Sequence, residues 1–281
     1  MISQNSKRSG LAMRSGAGKT QKLISVIVIA RDEEKNLPDC LKSIKWADEI
    51  IIVDSGSKDN TVNIARNFGA RVVQQLTGGF SAIRNKGVKE AKGDWILYVD
   101  ADERVSSSLR KEINSKIAKG RTAGLDSKSK FSAYAIPRKN IILGKEMRYG
   151  GWWPDYVKRL FLKKNFKQWT GELHEEPEFE GELEHLIQPF IHLKHDNLSD
   201  MVTKTNEWSE IEARLMFVAN HPPMNFPRFV SAMAREFWTR IVKYNAFLDG
   251  PEGIIYAQYQ VFSRFVSYAK LWELQIKNDY H

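Results

Sequence analysis

The chain has little cysteine and no long apolar run, and each absence removes a class of protein. Cys40 is the single cysteine among 281 residues, so an internal disulfide and a cysteine-built zinc site are both excluded. Cys40 shares a helical spacing with Leu37, Leu41 and Ile44, which predicts a buried, unreactive thiol. No run of about 18 uncharged apolar residues is present, so we expect no membrane-spanning helix. The first residues lack the apolar core of a secretory signal, so we expect none.

Acidic residues are absent from residues 1–22, which contain Lys7, Arg8, Arg14, Lys19 and Lys22. The formal charge is +9. This segment accounts for +5 of it, which leaves +4 for the other residues. That excess is too small to predict a nucleic-acid-binding protein. It favours phosphate-bearing substrates or an anionic membrane surface as partners. We expect residues 1–22 to form a disordered basic tail, and the alternative is an organellar transit peptide.

Strands and helices alternate through the first hundred residues. Apolar runs predict strands at 23–30, 50–53, 71–73 and 95–99, and helical spacing predicts helices over about 34–45, 60–68 and 81–91. This alternation is typical of an α/β protein with a doubly wound, mostly parallel sheet. Ligands of such sheets bind at the carboxyl ends of the strands.

The fourth predicted strand ends in the acidic sequence Asp100-Ala101-Asp102-Glu103. In an extended chain, residues i and i+2 point to the same side, so we expect Asp100 and Asp102 to share a face. Two carboxylates this close repel, and Mg²⁺ or Mn²⁺ relieves the repulsion while keeping coordination positions open for phosphate oxygens. Asp32 and Asp54 follow the first two strands, so four carboxylates are expected at one edge. For the DxD sequence alone, the alternative is a solvated acidic turn.

The chain becomes helical after about residue 198. An apolar stripe recurs at spacings of three and four: Val230, Met233, Phe237, Ile241, Tyr244 and Leu248. It predicts a helix over 228–248, followed by an aromatic-rich helix over 253–276, and we expect most of the stripe to pack on the α/β domain. Trp238 and Val242 lie outside the stripe beside basic residues, which predicts peripheral, salt-sensitive binding to an anionic membrane. The alternative is a helix pair that is buried or used for dimerisation.

The segments ISVIVIARDEEKNLPDCLKSIKWADEIIIVDSGSKDNTVNIA and FSAIRNKGVKEAKGDWILYVDADE resemble the family 2 inverting glycosyltransferases of GT-A fold. VDSGSKDNT, GGWWPDYVKRLF and GELHEEP resemble one subgroup, the lipopolysaccharide core glucosyltransferases that add β-linked glucose to heptose. The resemblance implies a GT-A domain over 23–195 and a helical extension over 196–281. It implies transfer of a sugar, with glucose favoured, from a UDP-sugar to a lipopolysaccharide core or other lipid-linked saccharide. The expected location is cytoplasmic, at the inner face of the membrane.

The same resemblance implies which residues face the donor. Ala30, Glu33 and Asp54 would border the nucleotide, with Asp54 accepting a hydrogen bond from the base. Arg84 would face the donor sugar or the diphosphate. The alternative for Arg84 is a surface arginine on an amphipathic helix.

Three further residues are implied as metal ligands. Asp100 and Asp102 would hold Mn²⁺ or Mg²⁺ against the diphosphate, and Asp100 would also border the nucleotide. The metal would neutralise charge on the departing nucleoside diphosphate. His192 would be a late ligand, although a histidine on an apolar run is more often a satisfied core residue.

An inverting transfer needs one base to take the proton of the acceptor hydroxyl. Glu175 is our first choice, Glu176 the second and Glu172 the third. The alternative is that this segment is a solvated acidic loop.

Trp152 and Trp153 either stack on a sugar ring or belong to the core.

Other functions would require other features of the sequence or a different activity. A nucleotidyltransferase would need a basic, glycine-rich signature after the first strand, and residues 30–33 do not supply it. A non-catalytic peripheral membrane module would bind lipid without consuming a sugar nucleotide. An enzyme acting on another surface polysaccharide would share most of the same motifs.

Overall fold

The computed structural model describes residues 23–122, 131–171 and 175–279. The predicted basic tail, residues 1–22, lies outside them. The strands are β1 (Ile24–Ala30), β2 (Glu49–Asp54), β3 (Arg71–Gln74), β4 (Trp95–Asp100), β5 (Glu103–Val105), β6 (Phe131–Ile142), β7 (Lys145–Glu146), β8 (Asp155–Leu162), β9 (Phe166–Thr170), β10 (Glu176–Phe179), β11 (Glu182–His185) and β12 (Phe190–His195). The α-helices are α1 (Leu37–Ile44), α2 (Thr61–Asn67), α3 (Phe80–Glu90), α4 (Ser107–Thr122), α5 (Leu198–Val218), α6 (Phe226–Phe237) and α7 (Gly250–Asp279).

One sheet organises the described residues. Its strands follow the order β3-β2-β1-β4-β8-β6-β12-β5, with β7 and β11 paired to β6, while β9 and β10 form a separate pair. β1 runs parallel to β2 and β4, which places Ala30 beside Asp54 and Ile29 beside Asp100. β12 is parallel to β6, and β8 is antiparallel to both β6 and β4. β12 therefore runs in the same direction as β4, and its third residue, His192, is in register with Asn140 near the carboxyl end of β6.

The central strands are buried because helices cover both faces. α1 and α4 pack on one face and α3 on the other. Trp95–Val99 are at most 1% exposed, as expected for a strand covered on both faces. At Gly87, on α3, an added Cβ would lie 2.4 Å from Cγ2 of Ile27. Glycine is therefore what allows α3 to approach β1 closely.

The predicted fold class is confirmed, an α/β protein with a doubly wound, mostly parallel sheet and helices at the C-terminal end. One local expectation is wrong. β4 ends at Asp100, and Ala101 and Asp102 form a turn before β5. The chain is therefore not extended through Asp102, so the i, i+2 argument does not apply, and Asp100 and Asp102 contact different partners.

The predicted helix over 228–248 is also wrong in detail. α6 ends at Phe237 and continues as a π-helical segment, Trp238–Lys243, followed by a 3-10 turn, Ala246–Asp249. The carboxylate of Asp249 accepts hydrogen bonds from the backbone N–H groups of Arg148 and Tyr149, at 3.1 and 2.8 Å. This contact fixes the end of the segment against the loop between β7 and β8.

The expectation that the apolar stripe packs on the α/β domain is wrong for most of its members. Val230, Phe237, Tyr244 and Leu248 are exposed. The reason is that α6 packs on α7 instead, through contacts such as Phe229 on Phe265. Among the described residues, no helix is both long and apolar enough to cross a membrane.

Candidate active site

Two loops at the carboxyl edge are bonded to each other. After β1, the backbone N–H of Asp32 donates to Ser57 Oγ at 3.0 Å, and Asp32 Oδ1 accepts from the N–H of Lys58 at 2.7 Å. The N–H of Glu33 donates to Thr61 Oγ1 at 2.8 Å. Asp32 has φ of +54°, a conformation that aspartate tolerates better than most residues. The predicted acid after β1 therefore holds the two loops together.

Asp54 is almost fully buried at the end of β2. Its Oδ2 accepts from the N–H of Gly56 at 3.2 Å and its Oδ1 from that of Ser57 at 3.1 Å. The carbonyl of Ala30 accepts from the N–H of Ser55 at 3.1 Å. Asp54 thus shapes its own turn, and each of its oxygens keeps a second lone pair for another donor.

Glu33 faces the acidic turn that follows β4. Its Oε2 accepts from Nδ2 of Asn36 at 2.8 Å. Burial raises the pKa of Glu33, and the negative charges of Asp102 and Asp100 raise it further. Glu33 therefore lies near enough to the two acids that follow β4 for their charges to act on it.

Asp100 is held by two buried arginines. Arg84 Nη2, from α3, lies 3.3 Å from Asp100 Oδ1, and Arg159 Nη2, from β8, donates to Asp100 Oδ2. Burial alone would raise the pKa of Asp100, but Arg159 and Arg84 outweigh it and hold that pKa well below its usual value. Asp100 is therefore an ionised carboxylate in a cationic setting.

Glu103 is the buried support of this cluster. It is fully buried, and its Oε2 accepts from the backbone N–H of Asp100 at 3.0 Å. Its Oε1 accepts no hydrogen bond among the described residues and lies 3.7 Å from Arg159 Nη2 and 3.8 Å from Arg138 Nη1. Burial raises the pKa of Glu103, because solvation of the charge is lost.

Arg84 also contacts the predicted base. Its Nε donates to Glu175 Oε1 at 2.8 Å. The guanidinium lies over the rings of Trp169 and Tyr98, with its carbon 5.0 and 5.4 Å from their centroids. Arg84 is 5% exposed, so the interpretation of a surface arginine is wrong.

The three glutamates chosen as base candidates separate clearly. Glu175 joins the cluster through Arg84. The side chain of Glu176 is 69% exposed and pairs with Lys158 Nζ at 2.6 Å, away from the cluster. Glu172 lies outside the described residues.

His192 faces the remaining acid of the turn. Its Nε2 lies 3.4 Å from Asp102 Oδ2, and its Nδ1 lies 2.6 Å from Asn140 Oδ1. Nδ2 of Asn140 donates to the carbonyl of Trp152 at 3.2 Å and to Asp155 Oδ2 at 3.0 Å, which fixes its Oδ1 as the acceptor. Nδ1 of a neutral His192 therefore carries the proton, and the lone pair of Nε2 faces a carboxylate oxygen. A proton or a cation is needed between two such acceptors.

The donor atoms fit a hard divalent cation. No group of three or more His, Cys, Asp and Glu side chains within the described ranges is close enough to hold a metal by itself. Asp102 and His192 nevertheless offer a carboxylate oxygen and a ring nitrogen 3.4 Å apart. Mg²⁺ and Mn²⁺ are commonly held by one or two protein groups together with the phosphates of a substrate. Both Asp100 oxygens are engaged by arginines, so Asp102 and His192 are the more available pair.

Trp152 packs between two cations. Lys194 Nζ lies 4.5 Å from its ring centroid and the guanidinium carbon of Arg240 lies 4.7 Å from it. Tyr256 is its aromatic neighbour at 4.9 Å. Trp152 thus belongs partly to the core, while Trp153 is 44% exposed.

Sequence reasoning missed several residues of this site. Arg159 lies on β8 and Asn140 on β6, and the sequence patterns singled out neither residue. Arg159 carried a signal that could have found it, a charge inside an otherwise apolar strand end, RLFL. No local signal marks Asn140, whose importance comes from its place beside His192.

The family model described as glycosyl transferase family 2 matches residues 25–166, which is half of the chain. The chain therefore belongs to this family, and it is a glycosyltransferase that uses a nucleotide-sugar donor. An uncharacterised glycosyltransferase of Rickettsia bellii is 28% identical over 269 residues, covering 91% of this chain and 88% of the relative. One of Rickettsia felis is 27% identical over 268 residues, covering 91% of each. The predicted enzyme class is confirmed.

Solved structures similar to the chain include complexes of glucosyl-3-phosphoglycerate synthase from Mycobacterium tuberculosis. The complex with Mn²⁺, UDP and phosphoglyceric acid aligns with a TM-score of 0.35 and 23% identity over 43% of this chain and 44% of that one. The complex with Mn²⁺, UDP and glucosyl-3-phosphoglycerate aligns with a TM-score of 0.45 and 16% identity over 73% of this chain and 82% of that one. The chain thus spans less than half of that structure in the first alignment.

Proposed function

We propose that this glycosyltransferase is a metal-dependent, inverting enzyme that transfers glucose from UDP-glucose to a lipopolysaccharide core or similar lipid-linked saccharide. The observation that carries the metal dependence is the pair Asp102 and His192, whose facing acceptor atoms lie 3.4 Å apart. UDP-glucose and the lipopolysaccharide core rest on the resemblance of VDSGSKDNT, GGWWPDYVKRLF and GELHEEP to that subgroup. Another surface polysaccharide is the alternative acceptor.

In this proposal the donor lies along the carboxyl ends of β1, β2 and β4. The turn shaped by Asp54 and the carbonyl of Ala30 borders the nucleotide, with Glu33 on the side nearer the diphosphate. Asp102 and His192 would hold the cation, and Asn140 keeps the proton of His192 on the nitrogen away from it. When bound, Mg²⁺ or Mn²⁺ would supply charge neutralisation for the departing nucleoside diphosphate.

The arginines of the cluster have a complementary role. Arg84 and Arg159 hold Asp100 at the end of β4, next to the turn that carries Asp102. A fixed guanidinium needs no reorganisation when negative charge develops on the leaving group. Asp100 is thus assigned to the nucleotide and to the orientation of this cluster, with a secondary part as metal ligand.

Glu175 is the proposed base. Its carboxylate takes the proton of the acceptor hydroxyl while that oxygen forms a bond to the anomeric carbon, and the bond to the nucleoside diphosphate breaks on the opposite face. The ion pair with Arg84 fixes Glu175 beside Asp100. Glu176 remains the second candidate and Glu172 the third.

We further propose two parts of the chain, a GT-A domain over 23–195 and a helical extension over 196–281. The extension would bind the inner face of an anionic cytoplasmic membrane. Its exposed apolar side chains support this role, above all Phe226 and Trp238 at 80% and 62% exposure.

A donor panel tests the proposed activity. Release of nucleoside diphosphate would be measured from UDP-, GDP- and dTDP-sugars, with Mn²⁺ and with EDTA. We expect release from UDP-glucose with Mn²⁺, and its loss in EDTA and in Asp102→Asn. Full activity in EDTA would contradict metal dependence, and a preference for GDP- or dTDP-sugars would contradict the donor.

A further inference from the structure

Lys194 is a cation without an anionic partner. Its ammonium makes no hydrogen bond or ion pair to any residue in the described part of the chain and is held against the faces of Trp152 and Tyr256, at 4.5 and 6.0 Å. An ammonium has three donors, and a half-buried one is costly to leave without an acceptor. The donors of Lys194 Nζ are therefore available to an acceptor from outside the chain.

The neighbouring charges do not supply it. Arg138 and Asp155 pair with each other at 2.8 Å. Arg240 pairs with Glu236 through Nε at 2.8 Å and donates through Nη1 to the carbonyl of Gly150 at 2.9 Å. Asp155 and Glu236 are thus each matched to an arginine, and Asp102, whose charge also acts on Lys194, faces His192. None of these acids bonds to Lys194 itself.

Arg240 also has a nitrogen, Nη2, that is available for a ligand. Its Nη2 has no protein partner among the described residues, while its guanidinium lies over the Trp152 ring from its own side. Gly151 has φ of +84°, and a Cβ added there would lie 3.3 Å from Arg240 Nη1 and 3.0 Å from the ring of Tyr244. The lack of a side chain at Gly151 therefore leaves room for Arg240 to lie over the Trp152 ring. We call Lys194 and Arg240 on Trp152 the Trp152 cation pair.

The Trp152 cation pair lies on the acceptor side of the proposed transfer site. The carbonyl of Trp152 accepts from Asn140, whose other end holds His192. In the sheet, β6 and β12 lie beyond β4, whereas the turn of Asp54 follows β2 on the other side. A group bound here would be close to the metal pair and remote from the nucleotide base.

We propose that the Trp152 cation pair binds an acidic group, a phosphate or a carboxylate, carried by the saccharide acceptor. This inference rests on the proposed transferase function, because it needs an acceptor on this side of Asp102. The anion accepts hydrogen bonds from Lys194 Nζ and Arg240 Nη2, and the sugar that carries it lies beside the rings of Trp152 and Tyr256. Charge-assisted hydrogen bonds of this kind give both affinity and orientation.

The test uses the indole ¹⁵N–¹H signals of the full chain labelled at its eight tryptophans, with the signal of Trp152 assigned by Trp152→Phe. Four probes are titrated: glucose 6-phosphate, glucuronate, the neutral methyl glucoside and UDP with Mg²⁺. We expect the Trp152 signal to move with one or both acidic sugars and not with the neutral one. A response to glucose 6-phosphate indicates that the site binds phosphate, and a response to glucuronate indicates that it binds a carboxylate. Binding should be about tenfold weaker or more in Lys194→Gln and restored in large part in Lys194→Arg.

Lys243→Gln is the matched control, because Lys243 Nζ also lies over an aromatic ring, 5.1 Å from that of Tyr244, but on the exposed surface. It should bind the acidic sugar as the wild type does. A Trp152 signal in the wild type that ignores both acidic sugars, or follows the neutral sugar equally, overturns the proposal whether or not the variants fold. If the Trp152 signal shifts with UDP, and Lys194→Gln binds UDP more weakly, the Trp152 cation pair belongs to the donor site. That result also overturns the proposal. If the wild type does not bind UDP, that result would contradict the proposed function and not this inference.

Discussion

Glu175 Oε1 accepts a hydrogen bond from Arg84 Nε at 2.8 Å, across 91 positions of the chain. The bond joins the segment before β10 to α3, and Arg84 also reaches Asp100. The proposed base and the acid at the end of β4 are therefore positioned by one buried guanidinium, which itself lies on Trp169 and Tyr98.

The first prediction concerns this carboxylate. Glu175→Gln should keep donor binding, because its amide oxygen can still accept from Arg84, but lose the proton acceptor. We expect turnover to fall by about 10²–10⁴-fold, the usual contribution of general base catalysis. The measurement is kcat for sugar transfer together with the affinity for UDP.

Glu176→Gln is the matched control, since it makes the same change one residue away on an exposed side chain that pairs with Lys158. Suppose that Glu175→Gln transfers sugar normally while Glu176→Gln or Glu172→Gln loses activity. The glutamate whose variant is inactive would then be the base.

The second prediction concerns the histidine. Asn140 sets the proton on Nδ1 of His192, so that Nε2 can bind a cation beside Asp102. Asp102→Asn and His192→Ala should each weaken Mn²⁺ binding in the presence of UDP. Asn140→Ser should do so by about 10–100-fold, as observed for residues that orient metal ligands. Electron paramagnetic resonance of free Mn²⁺ measures the affinity.

Glu178→Gln, an exposed carboxylate on β10, is the control and should bind Mn²⁺ normally. If Mn²⁺ binds equally to the wild type and to His192→Ala, the histidine is a core residue and no ligand.

The third prediction is a pH dependence of stability. Burial, with Asp102 and Asp100, raises the pKa of Glu33 above its ordinary 4.5 in the folded protein. The folded state then holds this proton more tightly than the unfolded state. Glu33 therefore lowers the free energy of unfolding as pH rises from about 4.5 through the folded pKa. Glu33→Gln should gain stability relative to the wild type over that window, measured by urea unfolding at a series of pH values.

Asp39→Asn provides a control of opposite sign. Lys42 lowers the pKa of Asp39 through a hydrogen bond and its charge, so this variant should lose stability relative to the wild type as pH rises. A difference between Glu33→Gln and wild type that does not change with pH would contradict the assignment.

The sequence predicts one half of this site better than the other. The acids after β1, β2 and β4 follow apolar runs, and adjacent parallel strands bring them to one edge, so periodicity alone predicts their assembly. Arg159, Asn140 and His192 come from β8, β6 and β12, and their pairing depends on a strand order with antiparallel members. Local spacing contains no information about that order. The turn at Asp102 was missed for a related reason, since β5 pairs with β12, a strand far along the chain.

The helical extension shows the same limit. Val230, Met233 and Phe237 of its apolar stripe lie on α6, whereas the later members of the stripe follow the end of that helix. Periodicity also does not tell what covers the stripe. α6 packs on α7, and much of the stripe remains exposed.

The last prediction follows from that exposed surface. Trp238 is 62% exposed and lies close to Arg235 on the same turn of helix. An aromatic side chain beside cations suits the headgroup layer of an anionic bilayer, where its ring partitions and the cations attract lipid phosphates. We expect the full chain to float with vesicles containing anionic lipid at low salt and to detach at high salt, because screening shortens the range of the attraction. Trp238→Ala combined with Arg235→Glu should abolish flotation. Trp272→Ala combined with Lys277→Glu makes an equal change of charge and aromatic content on α7 and should leave it intact. No flotation at low salt, or equal flotation of both double variants, would exclude this surface and favour dimerisation, which light scattering would then detect.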